Sequence, residues 1–408
     1  MRMALVRYLT AATLARSADS GAAVGFVLLA GTVGPQSGHR PALTGALLVT
    51  GLTAPHLLGP VLGRRLDRSN DGRRLIAAVC AGFGTLVALV ALLFGRVPLI
   101  LVVLLTVLAG LGGPLLTGGL SSRLGALVAA DQHAQRRAQG LDSLSYGISG
   151  TAGPAAVAAL SALVGARPAV VVLGATTLAA AALVLTLPYG EKEVQADQVL
   201  SVRSTLRLIA RTGPLRRVMY TMAAAAFPNG AIAVLAVGLA GDLHVSAGTA
   251  GLLTAAFGLG YLAGSLTVIA WPLPGEPEKL VTITVSLVAA GFVLCALAPG
   301  YVWALAAFTV LGALNAPLFT ATLASRAQYS PPEARAQVFV SMAALKVGAA
   351  SAGTAAVGAA VGLGPRTLLL LGAALILTTA VITVLDRRRQ PPKAEPYSVL
   401  NSADSTPV

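Results

Sequence analysis

Apolar runs of about bilayer length recur twelve times along the chain: 9–33, 41–62, 75–94, 97–121, 138–164, 168–188, 216–239, 247–271, 280–298, 302–324, 336–362 and 366–385. A helix needs roughly 20 apolar residues to cross the hydrocarbon core. Only 11% of the residues are charged while 56% are hydrophobic, whereas a water-soluble domain is about a quarter charged. A soluble fold of this length would lack polar surface. The expected fold class is therefore all-α integral membrane, with twelve transmembrane helices. The first run lacks a small-residue cleavage site followed by a soluble domain, so it reads as a retained span rather than a removed signal. Cys80 and Cys295 both lie in apolar runs, and no disulfide framework is indicated.

Charge position sets the orientation. Of the 29 Lys and Arg residues, 23 fall on the two termini and the even-numbered connections, and four (Arg40, Arg96, Arg167, Arg366) fall on the odd-numbered ones. Basic loops stay on the cytoplasmic side. Both termini are thus expected in the cytoplasm of a multi-pass cell-membrane protein. The same asymmetry accounts for the net charge of +14 through the lipid bilayer and its anionic headgroups, with no nucleic acid needed.

The sequence also repeats itself. "VLAGLGGPLLTGGLSSR" (107–123) aligns without a gap on "VLGALNAPLFTATLASR" (310–326), with nine of seventeen positions identical. "VGARPAVVVLGA" (164–175) finds a weaker echo in "VGLGPRTLLLLGA" (361–373). Two parallel, pseudo-symmetric six-helix bundles are expected, 1–189 and 216–385. The linker 190–215 joins them, its "LSVRSTLRLIAR" reading as an amphipathic helix along the membrane surface, and a disordered cytoplasmic tail, 386–408, follows. Parallel repeats of this kind hold a substrate between the halves near the bilayer midplane.

The most charged stretch is "GRRLDRSNDGRR" (63–74), with five arginines and two aspartates. Arginines alone would fix topology; Asp67 and Asp71 add nothing to it. With the twelve spans and the repeat, this stretch resembles the major facilitator superfamily, across nearly the whole chain. The family carries a motif G-x-x-x-D-R-x-G-R-[KR] between spans 2 and 3. Here Gly63, Asp67, Arg68, Gly72 and Arg73 follow its order, with two extra residues between Arg68 and Gly72. The resemblance implies that Asp67, supported by Arg68 and Arg73, latches the cytoplasmic side shut. The start of span 11, "SPPEARAQ", is the candidate partner, with Ser330 and Glu333 at capping-box spacing. Asp142 and Arg123 are candidates to join the gate. In span 5, Gly150, Gly153 and Pro154 are similar to the helix-packing motif of the family's drug/proton antiporters.

Charges at membrane depth are expensive and generally face a cavity with partners. Asp19, Arg16, Lys346 and His56 are the proton-coupling candidates. Arg16 and Asp19 are three residues apart on one helix face, so they are either a self-neutralising pair or a pair in which Asp19 takes up and releases a proton. Asn229, beside Pro228, and Asn315, near Pro317, are substrate-cavity candidates, together with Tyr146.

No G-x-x-x-x-G-K-[ST] nucleotide loop is present, since none of the four lysines follows a glycine. The histidines at 39, 56, 133 and 244 are scattered. No catalytic residue, metal or cofactor is expected, and the chain does not read as an enzyme. The expected function is secondary active transport: proton-coupled export of a small neutral or amphipathic organic substrate by alternating access, by a monomer. The alternatives are proton-coupled uptake of a small metabolite, or a non-transporting receptor or scaffold.

Overall fold

The computed structural model describes residues 2–32, 41–129, 131–188, 199–245 and 247–389. Residues 190–198 of the linker and 390–408 of the expected tail lie outside them. Among the described residues every regular element is helical. The helices are α1 (Arg2–Gly31), α2 (Pro41–Thr53), α3 (Gly59–Arg68), α4 (Gly72–Leu93), α5 (Leu99–Gly110), α6 (Gln132–Val164), α7 (Ala166–Leu185), α8 (Val202–Arg211), α9 (Gly213–Gly230), α10 (Ile232–Asp242), α11 (Ala247–Ala270), α12 (Pro277–Ala296), α13 (Tyr301–Tyr329), α14 (Arg335–Ala359) and α15 (Pro365–Arg389). In an apolar environment the backbone has no water to bond, and a helix satisfies its polar groups internally.

Among the described residues nine helical stretches are long and apolar enough to cross a membrane, α5 counting with its continuation to Gly119, and a tenth span forms if α9 and α10, bent by 46° after Pro228 and Asn229, are taken together. Two expected spans fall outside that set for visible reasons. The segment of α1 carries Arg16 and Asp19 at its middle. The segment 41–62 is broken by a short 3₁₀ turn, Ala54–Leu58, with Pro55 at its start as the second residue. The sequence "VRSTLRLIAR" is helical as α8.

Two compact units arise. The first comprises Met1–Val128, Ser145–Val202 and Pro332–Ala344; the second comprises Ala129–Leu144, Arg203–Pro331 and Leu345–Val408. In the first, α4 packs on α7 and α1 packs on both α2 and α7. The α4–α7 approach is so close that a Cβ on Gly84 would lie 2.3 Å from the Gly174 carbonyl oxygen. In the second, α13 packs on α11 and α12, and α15 packs on α9 and α12. There a Cβ on Gly312 would lie 1.9 Å from the Phe257 carbonyl oxygen. Small residues let helix backbones meet where lipid supplies no hydrophobic drive for association.

Candidate functional site

The charged stretch 63–74 divides at Ser69, which ends α3 in extended conformation. Asp67, in the last turn of α3, accepts hydrogen bonds from the backbone N–H groups of Ala336 and Gln337, each at 2.9 Å. These are first-turn donors of α14, which have no partner inside their own helix. Gly63 makes the contact possible, because a Cβ there would lie 2.6 Å from Gln337 Cα. Arg123 donates to the Leu66 carbonyl at 3.2 Å, and Gly72 lies against its guanidinium. Burial pushes the Asp67 carboxyl up to about 6, while the two backbone donors and the charges of Arg123 and Arg335 pull it down. All these residues belong to the first unit, as does the start of α14.

Two details differ from expectation. Ser330 does not cap α14: its hydroxyl makes no hydrogen bond among the described residues. The 3₁₀ turn Pro332–Ala334 intervenes, which carries the first α-helical turn beyond its reach and leaves the donors to Asp67. Arg73 turns to Asp71, with both of its paired contacts at 3.0 Å, and to the Leu187 carbonyl. The cations acting on Asp67 are instead Arg123 and Arg335. Asp71 caps α4 through the Arg73 N–H, and its hydrogen bonds to the Arg73 side chain hold its carboxyl below the usual range. Asp142 is fully buried, in a segment of the second unit.

Arg16 is 2% exposed. It donates to Ser145 Oγ, to Ser121 Oγ at 2.9 Å and to the Thr117 carbonyl at 3.4 Å. Its guanidinium lies 3.7 Å from the centre of the Tyr146 ring, whose hydroxyl shares a hydrogen bond with Ser121. Thr117 sits in a π turn, Leu115–Gly119, that continues α5. Tyr146 is thereby part of the Arg16 cradle. The expected Arg16–Asp19 pair is absent: Asp19 makes no ion pair or hydrogen bond among the described residues. The ionisable group that acts on it is His56. Asp19 keeps partial exposure, while His56 is 5% exposed and its Nδ1 has no hydrogen-bond partner among the described residues. The ring is wedged against Gly113, where a Cβ would lie 2.3 Å from the imidazole. A larger residue at 113 would force the ring or its helix to shift.

Lys346 lies half-buried on α14, its ammonium 3.9 Å from the centre of the Phe319 ring. Asn229 donates to Asn315 Oδ1 at 3.0 Å and to the Ala225 carbonyl, while Asn315 donates to the Leu311 carbonyl. The two proline-bearing segments are thus joined through their asparagines. On α6, Gly153 packs as expected: a Cβ there would lie 2.3 Å from the Ser17 carbonyl oxygen of α1. Gly150 does not, since its Cβ would meet nothing within 4 Å. Three residues before Gly153, it lies on an exposed part of the helix.

Two successive stretches, residues 9–236 and 218–402, match the Major Facilitator Superfamily profile. The chain belongs to the major facilitator superfamily. No curated protein matches the sequence. Among solved structures the fold is similar to the human organic anion transporter MFSD10, at 16% identity and TM-score 0.72 over 93% of this chain and 99% of that one. It is similar to the proton:xylose symporter XylE, at 13% and 0.74 over 98% of each chain. It is also similar to a bacterial homologue of the iron transporter ferroportin, at 16% and 0.71 over 95% of this chain and 100% of the other. At these identities what is shared is the facilitator fold, that of a multi-pass membrane transporter.

One cluster of this facilitator escaped the sequence reading. The second-half loop "WPLPGEPEK" lacks the motif of residues 63–74, yet its Glu278 is ion-paired with Arg217, each 2% exposed. Arg217 also reaches Asp386 at 2.9 Å, which Arg216 holds at 2.6 Å. Arg387 pairs with Glu276 at 2.6 Å. The helix ends of α9, α12 and α15 are tied together by this network. The available signal was two loop glutamates, Glu276 and Glu278, in a chain whose nearby arginines, Arg217 and Arg387, counted only toward topology.

Proposed function

We propose that the protein is a secondary active transporter that exports a small neutral or amphipathic organic compound in exchange for protons. Twelve spans, cytoplasmic termini and parallel halves are part of this reading. The observation that carries it is Asp19: a carboxylate in the middle of an apolar helix, partly exposed, with no ion pair and with His56 as its electrostatic neighbour. An ionised carboxylate at membrane depth costs about 2.5–3.5 kcal/mol on insertion scales, and a stationary structural role would call for a fixed cation beside it. Arg16, the nearest such cation in sequence, is already engaged by Ser145, Ser121, Thr117 and Tyr146. A group left without a fixed counter-charge is suited to gain and lose a proton as water access changes. Asp19 is the proton carrier in this scheme, His56 its partner, Arg16 a structural cation and Lys346 a second coupling candidate. The asparagine pair at 229 and 315 faces substrate. The contact of Asp67 with α14 is the cytoplasmic gate.

The test uses inside-out vesicles with an imposed proton gradient, a pH-sensitive dye and a compound panel. A substrate is expected to dissipate the gradient only in vesicles holding the protein, and to accumulate only while the gradient lasts. Accumulation driven by the opposite gradient would assign proton-coupled uptake. Compounds that never move, or move equally without a gradient, would contradict proton coupling.

A further inference from the structure

Arg203, Arg207 and Arg211 recur every fourth residue along α8, which places them in a row on one side of the helix. All three are exposed. The opposite side is fixed against protein, with Thr205 at 0% and Ile209 at 2% exposure, so the row has one permitted direction. Leu206 stands beside it, 47% exposed.

The row is continuous with a second basic patch. Arg216 donates to the Ala210 carbonyl at 3.1 Å and binds Asp386 near the end of α15. Beyond Asp386, Arg388 and Arg389 are exposed. The carboxylates of this neighbourhood, Glu276, Glu278 and Asp386, are taken by Arg216, Arg217 and Arg387. Arg203, Arg207, Arg211, Arg388 and Arg389 make no ion pair or hydrogen bond among the described residues. Five guanidinium groups of the second unit thus have no counter-charge among the described residues.

We propose that this surface binds anionic phospholipid headgroups. Four residues of helix advance about 6 Å, so the α8 row spreads its charge over about 12 Å instead of converging on one centre. That suits an array of phosphodiesters better than a single free phosphate. Each arginine near an anionic leaflet adds to the attraction, and salt screens it. The exposed Leu206 beside the charges suits the headgroup–acyl boundary. On the proposed topology the partner is the inner leaflet.

The experiment purifies the full chain from bilayers of phosphatidylcholine with a minor share of phosphatidylglycerol, and counts retained lipids by native mass spectrometry. Retained phosphatidylglycerol is expected to exceed its bilayer share, and to fall several-fold in the combined variant Arg203→Gln, Arg207→Gln, Arg211→Gln. The corresponding Lys variant should keep it, and high salt should remove it. The row is exposed, so folding of the Gln variant, followed by thermal unfolding, should match wild type. Equal retention in wild type and Gln variant, or loss in the Lys variant as well, would overturn the proposal. So would displacement of the lipid by inorganic phosphate but not by chloride at equal ionic strength, which would assign the row to a free anion.

Discussion

Asp67→Asn is expected to speed hydrogen exchange at Ala336 and Gln337 about five-fold below about pH 4, where the contact is fully formed, and to slow transport several-fold. Both carboxylate oxygens accept a backbone donor of α14. The amide keeps one acceptor and turns an N–H toward the other, so one first-turn donor loses its partner. Losing a cap costs about 0.5–2 kcal/mol, and about 1 kcal/mol corresponds to that five-fold change. The pH dependence carries a second signature. With Asp67 raised from 3.8 to about 6, the closed contact binds a proton more tightly than an exposed carboxylate does. Its stabilising share is therefore complete below about pH 4 and is lost as pH rises through 6. Exchange at the two amides, corrected for its intrinsic pH dependence, should rise across that window in wild type and stay flat in Asp67→Asn. Identical profiles in the two proteins would remove Asp67 from the gate.

The largest loss of stability is expected at a residue that no hydropathy reading singles out. Glu278→Ala removes one of the two carboxylates ion-paired with the buried Arg217. Removing one partner of a buried pair costs about 3–5 kcal/mol, and the remaining partner places this case at about 3. Unfolding of the solubilised protein should shift down by about 5 °C or more. The paired change Glu278→Leu with Arg217→Met, which removes both charges, should recover much of the loss. A single variant as stable as wild type would mean that the burial of Arg217 does not depend on Glu278.

What was legible in the sequence follows from what each signal depends on. Span positions depend on local apolar length, and each of the twelve runs coincides with a helix or a broken helix pair. The partnership of Asp67 with residues 336 and 337 was also readable, because a carboxylate that topology does not need stands against a helix start rich in orphan donors. His56 as the group acting on Asp19 was not readable. It depends on a 3₁₀ turn at Pro55 and a vacant Cβ position at Gly113, and helix periodicity pointed to Arg16 instead. The Arg217–Glu278–Asp386 network joins three helix ends far apart in sequence, so no local pattern announces it. Gly150 shows the reverse error: a glycine in a resembling motif that meets nothing.

Proton coupling through Asp19 is the central claim, and the most direct measurement of it is transport by Asp19→Asn in proteoliposomes. Two modes are compared for a substrate found with the vesicle panel: uptake against its gradient driven by a pH difference, and counterflow exchange with no pH difference. Asn keeps the size of the side chain and cannot carry the proton. The account predicts that gradient-driven accumulation disappears while counterflow persists, and that His56→Gln shifts the pH dependence of the driven mode without abolishing counterflow. Driven accumulation by Asp19→Asn at the wild-type rate would contradict the account.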